Sequence, residues 1–445
     1  VATLAEEEAV PISEEPGTTQ EARSYSVRVD GQVLFSLIDT PGFQDAPAAL
    51  EQIRKLRTDA SVSDQAVRSF VDAYRGSREF VEETRLLTPI LAGGRILYVV
   101  DGTVPYSRDF EAEMEILRWT GRPRMALVNR IGTGNHVDEW TRALGQYFSL
   151  VREFDANRAK FGDRVRLLES FRELDPESRP GLDRAIAVLR GEQQRRRREA
   201  AREIATLAMA ALTQRVELEL KPGEQARDRH GEALGRLQDQ LREAERTAHR
   251  GIFELYRFRK LQASELKFEG LQEDLFAEKT WEVLGLTHGQ LLMAGTLGGA
   301  AIGLGIDVAA GGHTFLLASV IGGVVGGATA LVRSGKKLGS GWKVVENLIG
   351  SPRIVRFGPL SRNNLIWILI DRALIYTRAI STRAHSVQGN LTVSEQESIV
   401  RTLPADVRHK ADRLFSKISR ESPVPDDLVG ELRQWVEQRL EGVTS

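Results

Sequence analysis

In the first third of the chain, four short apolar runs each stop at an Asp or an Asn, and helical patterns separate the later ones. Val33, Phe35 and Leu37 lead to Asp39, residues 95–100 lead to Asp101, residues 124–128 lead to Asn129, and a weaker run over 150–154 leads to Asp155. Short apolar runs followed by helical patterns read as buried parallel strands. Strand and helix in alternation predict a doubly wound α/β sheet, in which a ligand sits beyond the carboxyl ends of the strands. Asp39, Asp101, Asn129 and Asp155 all fall at such ends. Ahead of Asp39, Tyr25, Val27 and Val29 alternate with polar residues and Asp30-Gly31 supplies a turn, so residues 23–38 are expected to form an antiparallel hairpin.

At 445 residues the chain is too long for one ordinary core, and two or three domains are expected. Its 61 basic and 62 acidic residues leave a formal net charge of −1, so the chain has no global attraction to nucleic acid. Cysteine is absent, which excludes disulfides and thiolate metal sites and is compatible with a reducing cytosol. The acidic start, with Glu6, Glu7 and Glu8, does not resemble a signal peptide, and a first residue of Val suggests a fragment.

From Pro180 the period changes. Ile186, Leu189, Ile204, Leu207, Ala211 and Leu212 fit one face of a long arginine-rich helix, which Lys221-Pro222-Gly223 breaks. Leu234, Leu237, Leu241, Ala244, Ala248, Ile252 and Leu255 then make a coiled-coil-like seam, and an antiparallel helical hairpin is expected. Residues 291–332 are two apolar, glycine-rich runs, with Gly295, Gly299 and Gly303 able to pack against Gly322 and Gly326. Such a pair either enters a membrane, anchored by Arg333, Lys336 and Lys337, or forms the buried centre of a helical domain. Asp307 favours the second, since a carboxylate near the bilayer is costly. Membrane association is taken as the leading expectation, and burial of Leu291, Leu292, Ile302, Phe315, Leu316, Leu317 and Ile321 would decide it.

Asp39-Thr40-Pro41-Gly42 is the most informative short stretch. A nucleotide hydrolase needs an acid at a strand end to hold the Mg²⁺ shell, and a glycine just beyond whose N–H approaches the γ-phosphate. Upstream, Pro16-Gly17-Thr18-Thr19 lies on a loop, where a hydroxyl of Thr18 or Thr19 joins the metal shell only while the γ-phosphate is present. Asn129 closes a strand where a purine would lie. Taken alone, Asp-x-Pro-Gly is equally a strand-to-loop turn, Asp101 reads as structural, and Asp155-Ala156 reads as a loop.

Together, Pro16 to Thr19, Asp39 to Gly42 and Asn129 resemble the second, third and fourth motifs of Era-like GTPases of the TrmE–Era–EngA class. The remainder resembles a bacterial group in which such a GTPase is fused to a helical domain of unknown function. The resemblance implies a P-loop-NTPase-like doubly wound sheet lacking its first strand and phosphate loop, followed by a mostly α-helical region. It implies GTP and GDP as ligands with Mg²⁺ as cofactor, nucleotide contacts from Thr18, Thr19, Asp39, Gly42 and Asn129, and Thr19 and Asp39 on the metal. The chain departs from the pattern in four ways. No Gly-rich loop ending in Lys-Ser or Lys-Thr occurs, Gln20-Glu21 stand where the second motif continues Arg-Asp, Gly132 stands where the fourth motif has the guanine-reading Asp, and Phe43 stands where Ras-like proteins carry a water-orienting Gln.

The expected organisation is a truncated GTPase-like domain over 1–175, a long helical hairpin over 176–280, a glycine-rich apolar hairpin over 281–340 and a helical segment over 341–445. The leading function is a GTP-binding switch, hydrolysing GTP when intact, that couples to a membrane or to a protein partner through its helices. It would reside in the cytoplasm or at the inner face of a bacterial plasma membrane. The alternative is a non-hydrolysing assembly protein with a degenerate nucleotide fold. An RNA partner ranks last, because no RNA-binding signature appears.

Overall fold

The computed structural model describes residues 22–57, 63–130, 134–156, 159–256, 342–345, 353–359, 363–382 and 398–442. Thr18, Thr19, Gly132 and the glycine-rich segment 291–332 therefore lie outside the described residues, and so does the burial test for that segment. The chain divides into two compact units, one over 1–194 with 382–388 and 445, the other over 195–381 with 389–444.

The first unit is mixed α/β. Strands β1 (Arg23–Val29) and β2 (Gln32–Asp39) form an antiparallel hairpin that pairs Arg23 with Asp39. Asp30 and Gly31 both take positive φ, 47° and 81°, which a two-residue turn matched to strand twist requires. Helices α1 (Ala46–Leu56), α2 (Ser63–Tyr74) and α3 (Val81–Leu91) follow. Strand β3 (Ile96–Asp101), helix α4 (Phe110–Trp119), strand β4 (Arg124–Asn129), helix α5 (Val137–Leu144) and strand β5 (Leu150–Phe154) come next. Strands β3, β4 and β5 make a parallel sheet in that order.

Both faces of this sheet are covered. Ala126 and Val128 of β4 face a core built with α1 to α5, including Ile53, Phe70, Leu87, Met114 and Trp140. Met125 and Leu127 face the other way, against Leu167 of helix α6 (Phe161–Leu174). Burial on both sides is why β4 reads as an unbroken apolar run rather than an alternating one. Helix α7 (Arg179–Thr213) begins in this unit, where Ile186 and Leu189 join Val165 and Leu168 of α6 and Phe35 of β2. That packing extends the unit past the expected end at 175.

The second unit is mostly helical. The later part of α7, helix α8 (His230–Leu255), helix α9 (Asn363–Ser381), helix α10 (Ala405–Arg420) and helix α11 (Asp426–Glu441) share one core. Helix α9 is apolar nearly all round, with Ile366, Leu369, Ile370, Ala373 and Leu374 buried, which suits a helix surrounded by others. The link from α7 to α8 is more than a Pro-Gly turn. Strand β6 (Val216–Leu220) intervenes and pairs with β8 (Arg353–Phe357), which also pairs with β7 (Trp342–Val345). Val216 and Leu218 face Leu234 and Leu237 of α8, while the intervening Glu217 meets Arg356 at 2.6 Å.

Three polar contacts hold α8, α9 and the turn before α10. Arg372 of α9 and Glu245 of α8 form an ion pair at 2.6 Å, with both side chains 9% exposed. His249 stacks on Tyr376 with ring centroids 4.2 Å apart. Asp371 accepts the backbone N–H groups of Ile399 and Val400 at 2.8 and 2.9 Å, capping the turn that holds them.

Removing one member of a buried ion pair takes from the other the opposite charge that offsets its desolvation. Glu245→Ala is expected to lower unfolding free energy by about 3–5 kcal/mol in urea, and the double variant with Arg372→Met to recover most of that loss. Burial pushes the His249 pKa down from 6.5 to about 4, with Arg372 adding to the effect and Glu245 opposing it. The unfolded chain therefore binds a proton between these values that the folded one does not. Stability should fall as pH drops from 6.5 toward 4, by up to about 1.4 kcal/mol per pH unit from this group. In the His249→Phe variant that slope should be measurably shallower, and an unchanged slope would remove His249 as its source.

Candidate functional site

The carboxyl edge of the parallel sheet brings together some of the residues singled out above. Asp101 and Asn129 are register partners at the ends of β3 and β4, and Asn129 is also opposite Phe154 of β5. The Asn129 side-chain oxygen accepts the N–H of Ala156 at 3.1 Å, and the Arg130 N–H reaches the Phe154 carbonyl at 3.1 Å. Asn129 thus ties the turn after β5 to the end of β4. The Asp101 carboxylate accepts the N–H and hydroxyl of Thr103, at 2.8 and 2.7 Å, which folds the loop after β3 back on itself. Gly102 lies under this edge. A Cβ there would come within 2.6 Å of Val128, and its N–H bonds the Asn129 carbonyl at 2.8 Å.

Asp39 is the last residue of β2 and is half-buried. Beyond it the chain is held at several points. Pro41 is buried, and Phe43 packs against the main core of the unit. Glu83 of α3, 1% exposed, accepts the N–H groups of Gln44 and Asp45 through one oxygen, both at 2.8 Å. Asp45 in turn caps α1 through the N–H of Ala48 at 3.0 Å. Gly42 differs from its neighbours: it is exposed, and a Cβ at this position would meet nothing within 4 Å. Its backbone is not in the left-handed region either, so local packing does not call for a glycine there.

Between β2 and β3 lies a cavity of about 730 Å³. Residues 34–38 of β2 line one side and residues 94–98, around β3, line another, with Leu86, Pro89 and Ile90 of α3 and Val165, Leu168 and Phe171 of α6 also contributing. Among the described residues, strands β2 and β3 are not hydrogen-bonded neighbours, and each has a single strand partner. One region of the lining is polar: Arg95 bonds the buried Asp175, which also accepts the Ser178 hydroxyl. Burial raises the Asp175 pKa, but the Ser178 and Arg95 hydrogen bonds outweigh it and leave the carboxyl below its usual range. Tyr98, another wall residue, donates its hydroxyl to Glu113 of α4 at 2.8 Å. Burial pushes the Glu113 pKa up, the Tyr98 bond opposes this, and the nearby Glu83 charge adds to it.

Among the described residues, no cluster of metal-ligand side chains is found. None of their helices is long and apolar enough to cross a membrane. Glu83, Tyr98 and Glu113 were not singled out from sequence. Glu83 looks like any other charge on an amphipathic helix, and only its burial opposite two backbone N–H groups distinguishes it.

Comparison with known proteins adds one finding. No curated protein and no solved structure matches the chain. A family model described as "Domain of unknown function (DUF3482)" matches residues 141–439, from α5 through α11, leaving Asp39, Asp101 and Asn129 ahead of the match. Because that match spans most of the chain, the protein belongs to the DUF3482 family.

Proposed function

We propose that the first unit is the main part of a guanine-nucleotide switch domain of the P-loop, Era-like kind, binding GTP with Mg²⁺ at the carboxyl edge of its sheet. The observation that carries this reading is the cavity lined by β2 and β3, each of which has a single strand partner among the described residues. A strand placed there, parallel to β3, would join the hairpin and the three-stranded sheet into one doubly wound sheet. Its following loop would emerge at the edge that holds Asp101 and Asn129 and deliver phosphate-binding N–H groups there. Residues 1–445 contain no Gly-rich loop ending in Lys-Ser or Lys-Thr, so the reading requires that strand and loop in addition.

In this arrangement Asp39 holds the Mg²⁺ shell, with Thr19 or Thr18 joining it from the switch loop. Gly42 offers its N–H to the γ-phosphate, and Asn129 contacts the base. The openness around Gly42 supports its role, since a glycine without a local steric need is suited to approach by a ligand. The tie between Asn129 and Ala156 supports a base site, because it holds the turn after β5 to the end of β4. The helical unit, together with residues 291–332, is the proposed effector region, acting on a protein partner or a membrane.

A second reading is a non-hydrolysing assembly protein on the same fold. Phe43 favours it, being packed into the core where a water-orienting side chain would stand. The two readings separate in a form of the protein that carries a phosphate-binding strand and loop ahead of residue 1. The switch reading expects micromolar or tighter GTP binding by calorimetry with Mg²⁺, and at least ~100-fold weaker binding by residues 1–445 alone. Asp39→Ala should abolish Mg²⁺-dependent hydrolysis, and Asn129→Ala should mainly weaken binding. Gly42→Ala should leave unfolding free energy within about 0.5 kcal/mol of the parent yet cut hydrolysis by ~10-fold or more. GTP binding without turnover would favour the assembly protein, and no binding at all would end both nucleotide readings.

A further inference from the structure

The loop that carries Gly42 is anchored by a residue outside every motif read from the sequence. Glu83 is a buried carboxylate whose one oxygen takes the N–H groups of both Gln44 and Asp45. A buried carboxylate is tolerated only where donors satisfy it, and bonds from backbone N–H to a charged acceptor are among the stronger ones in a protein. Asp39 fixes the near end of the loop through its register in the hairpin, opposite Arg23. Between these two anchors, Pro41 is buried and Phe43 is packed, while Gly42 alone is exposed with open space beside it.

We propose that Glu83 is the positioning residue of this loop: by gripping Gln44 and Asp45 it sets where the Gly42 N–H stands and starts α1 in a fixed direction. The role follows from how the fixed points are distributed. Asp45 cannot hold the loop by itself, because its side chain is engaged with Ala48 one turn into the helix. Without Glu83, two N–H groups at the loop's end would lose their acceptor, and residues 42–45 would be free to move about the Phe43 contact. Glu113 bears on the same point. Held by Tyr98 in the cavity wall, its carboxyl has a pKa raised first by burial and further by the Glu83 charge, which links the grip on the loop to the cavity wall. The proposal rests on the nucleotide reading only for what Gly42 faces; the grip itself stands on the hydrogen bonds.

The test is amide hydrogen exchange, followed by mass spectrometry, on the 445-residue chain and two variants. Glu83→Gln keeps a carbonyl oxygen able to accept both N–H groups, whereas Glu83→Leu fills the space without an acceptor. Exchange at residues 43–46 should rise ~10-fold or more in Glu83→Leu and stay within ~3-fold of the parent in Glu83→Gln, while strand β4 remains protected in all three. Unchanged exchange in Glu83→Leu would overturn the proposal. So would an equal loss of protection in both variants, since that would mark a general packing effect rather than the acceptor. A further arm repeats the exchange with Mg²⁺ and GTP in the form carrying the phosphate-binding strand and loop. No response at residues 42–45 there would count against the nucleotide reading while leaving the Glu83 result intact.

Discussion

A strand has two edges, and each carries backbone N–H and C=O groups that need partners. In the first unit β4 meets this need on both sides, with β3 and β5 as neighbours. Among the described residues strand β2 meets it on one side with β1, and β3 on one side with β4, and both strands line the same apolar cavity. Much of the unit follows from this. Helix α6 and the start of α7 cover β2 through Phe35 on one flank of the cavity, and α3 covers the other through Leu86 and Ile90. Packing of this kind around two strands with one described partner each is compatible with a sheet that accepts one more strand.

The loops that carry the residues of the proposed site are each held by a side chain. Asn129 ties the turn after β5, Asp101 folds the loop after β3, and Glu83 grips the loop after β2. Each tie is a side-chain oxygen accepting a backbone N–H, so each holds the loop's path without depending on bulk. Such anchoring pre-organises a site, because less motion must be stopped when a ligand arrives. The buried polar groups of the helical unit work by the same rule. Asp371 caps a turn, and Glu245 and Arg372 satisfy each other between two helices.

What could be read from the sequence was governed by periodicity. The hairpin was legible because Val27, Val29, Val33, Phe35 and Leu37 alternate around Asp30-Gly31. Strand β4 was legible because burial on both faces makes its residues uniformly apolar, and β3 because its run over 96–100 is unbroken, although Val99 within it is exposed. Strand β6 was missed, since Val-Glu-Leu-Glu-Leu over 216–220 is short and sits between two long helices whose pattern dominates the window. Its partner β8 lies more than a hundred residues away, and pairing over such distances leaves no local mark. The packing of Ile186 and Leu189 against β2 and α6 was not legible, because the two residues continue a helical pattern that nothing local assigns to those elements. At the site, Asp39 and Asn129 could be found by their strand-end positions. Glu83 could not, because its importance arises only when α3 brings it against the loop after β2.

The account's central claim is that the cavity between β2 and β3 is a strand site that completes a nucleotide-binding sheet. The most direct measurement is an experimental structure of the protein, in a form carrying a phosphate-binding strand and loop, with Mg²⁺ and a non-hydrolysable GTP analogue. The account predicts a strand hydrogen-bonded to both β2 and β3, phosphates at its following loop, and the base beside Asn129. A structure in which β2 pairs directly with β3, or in which the added strand lies elsewhere and the cavity stays open, would contradict it.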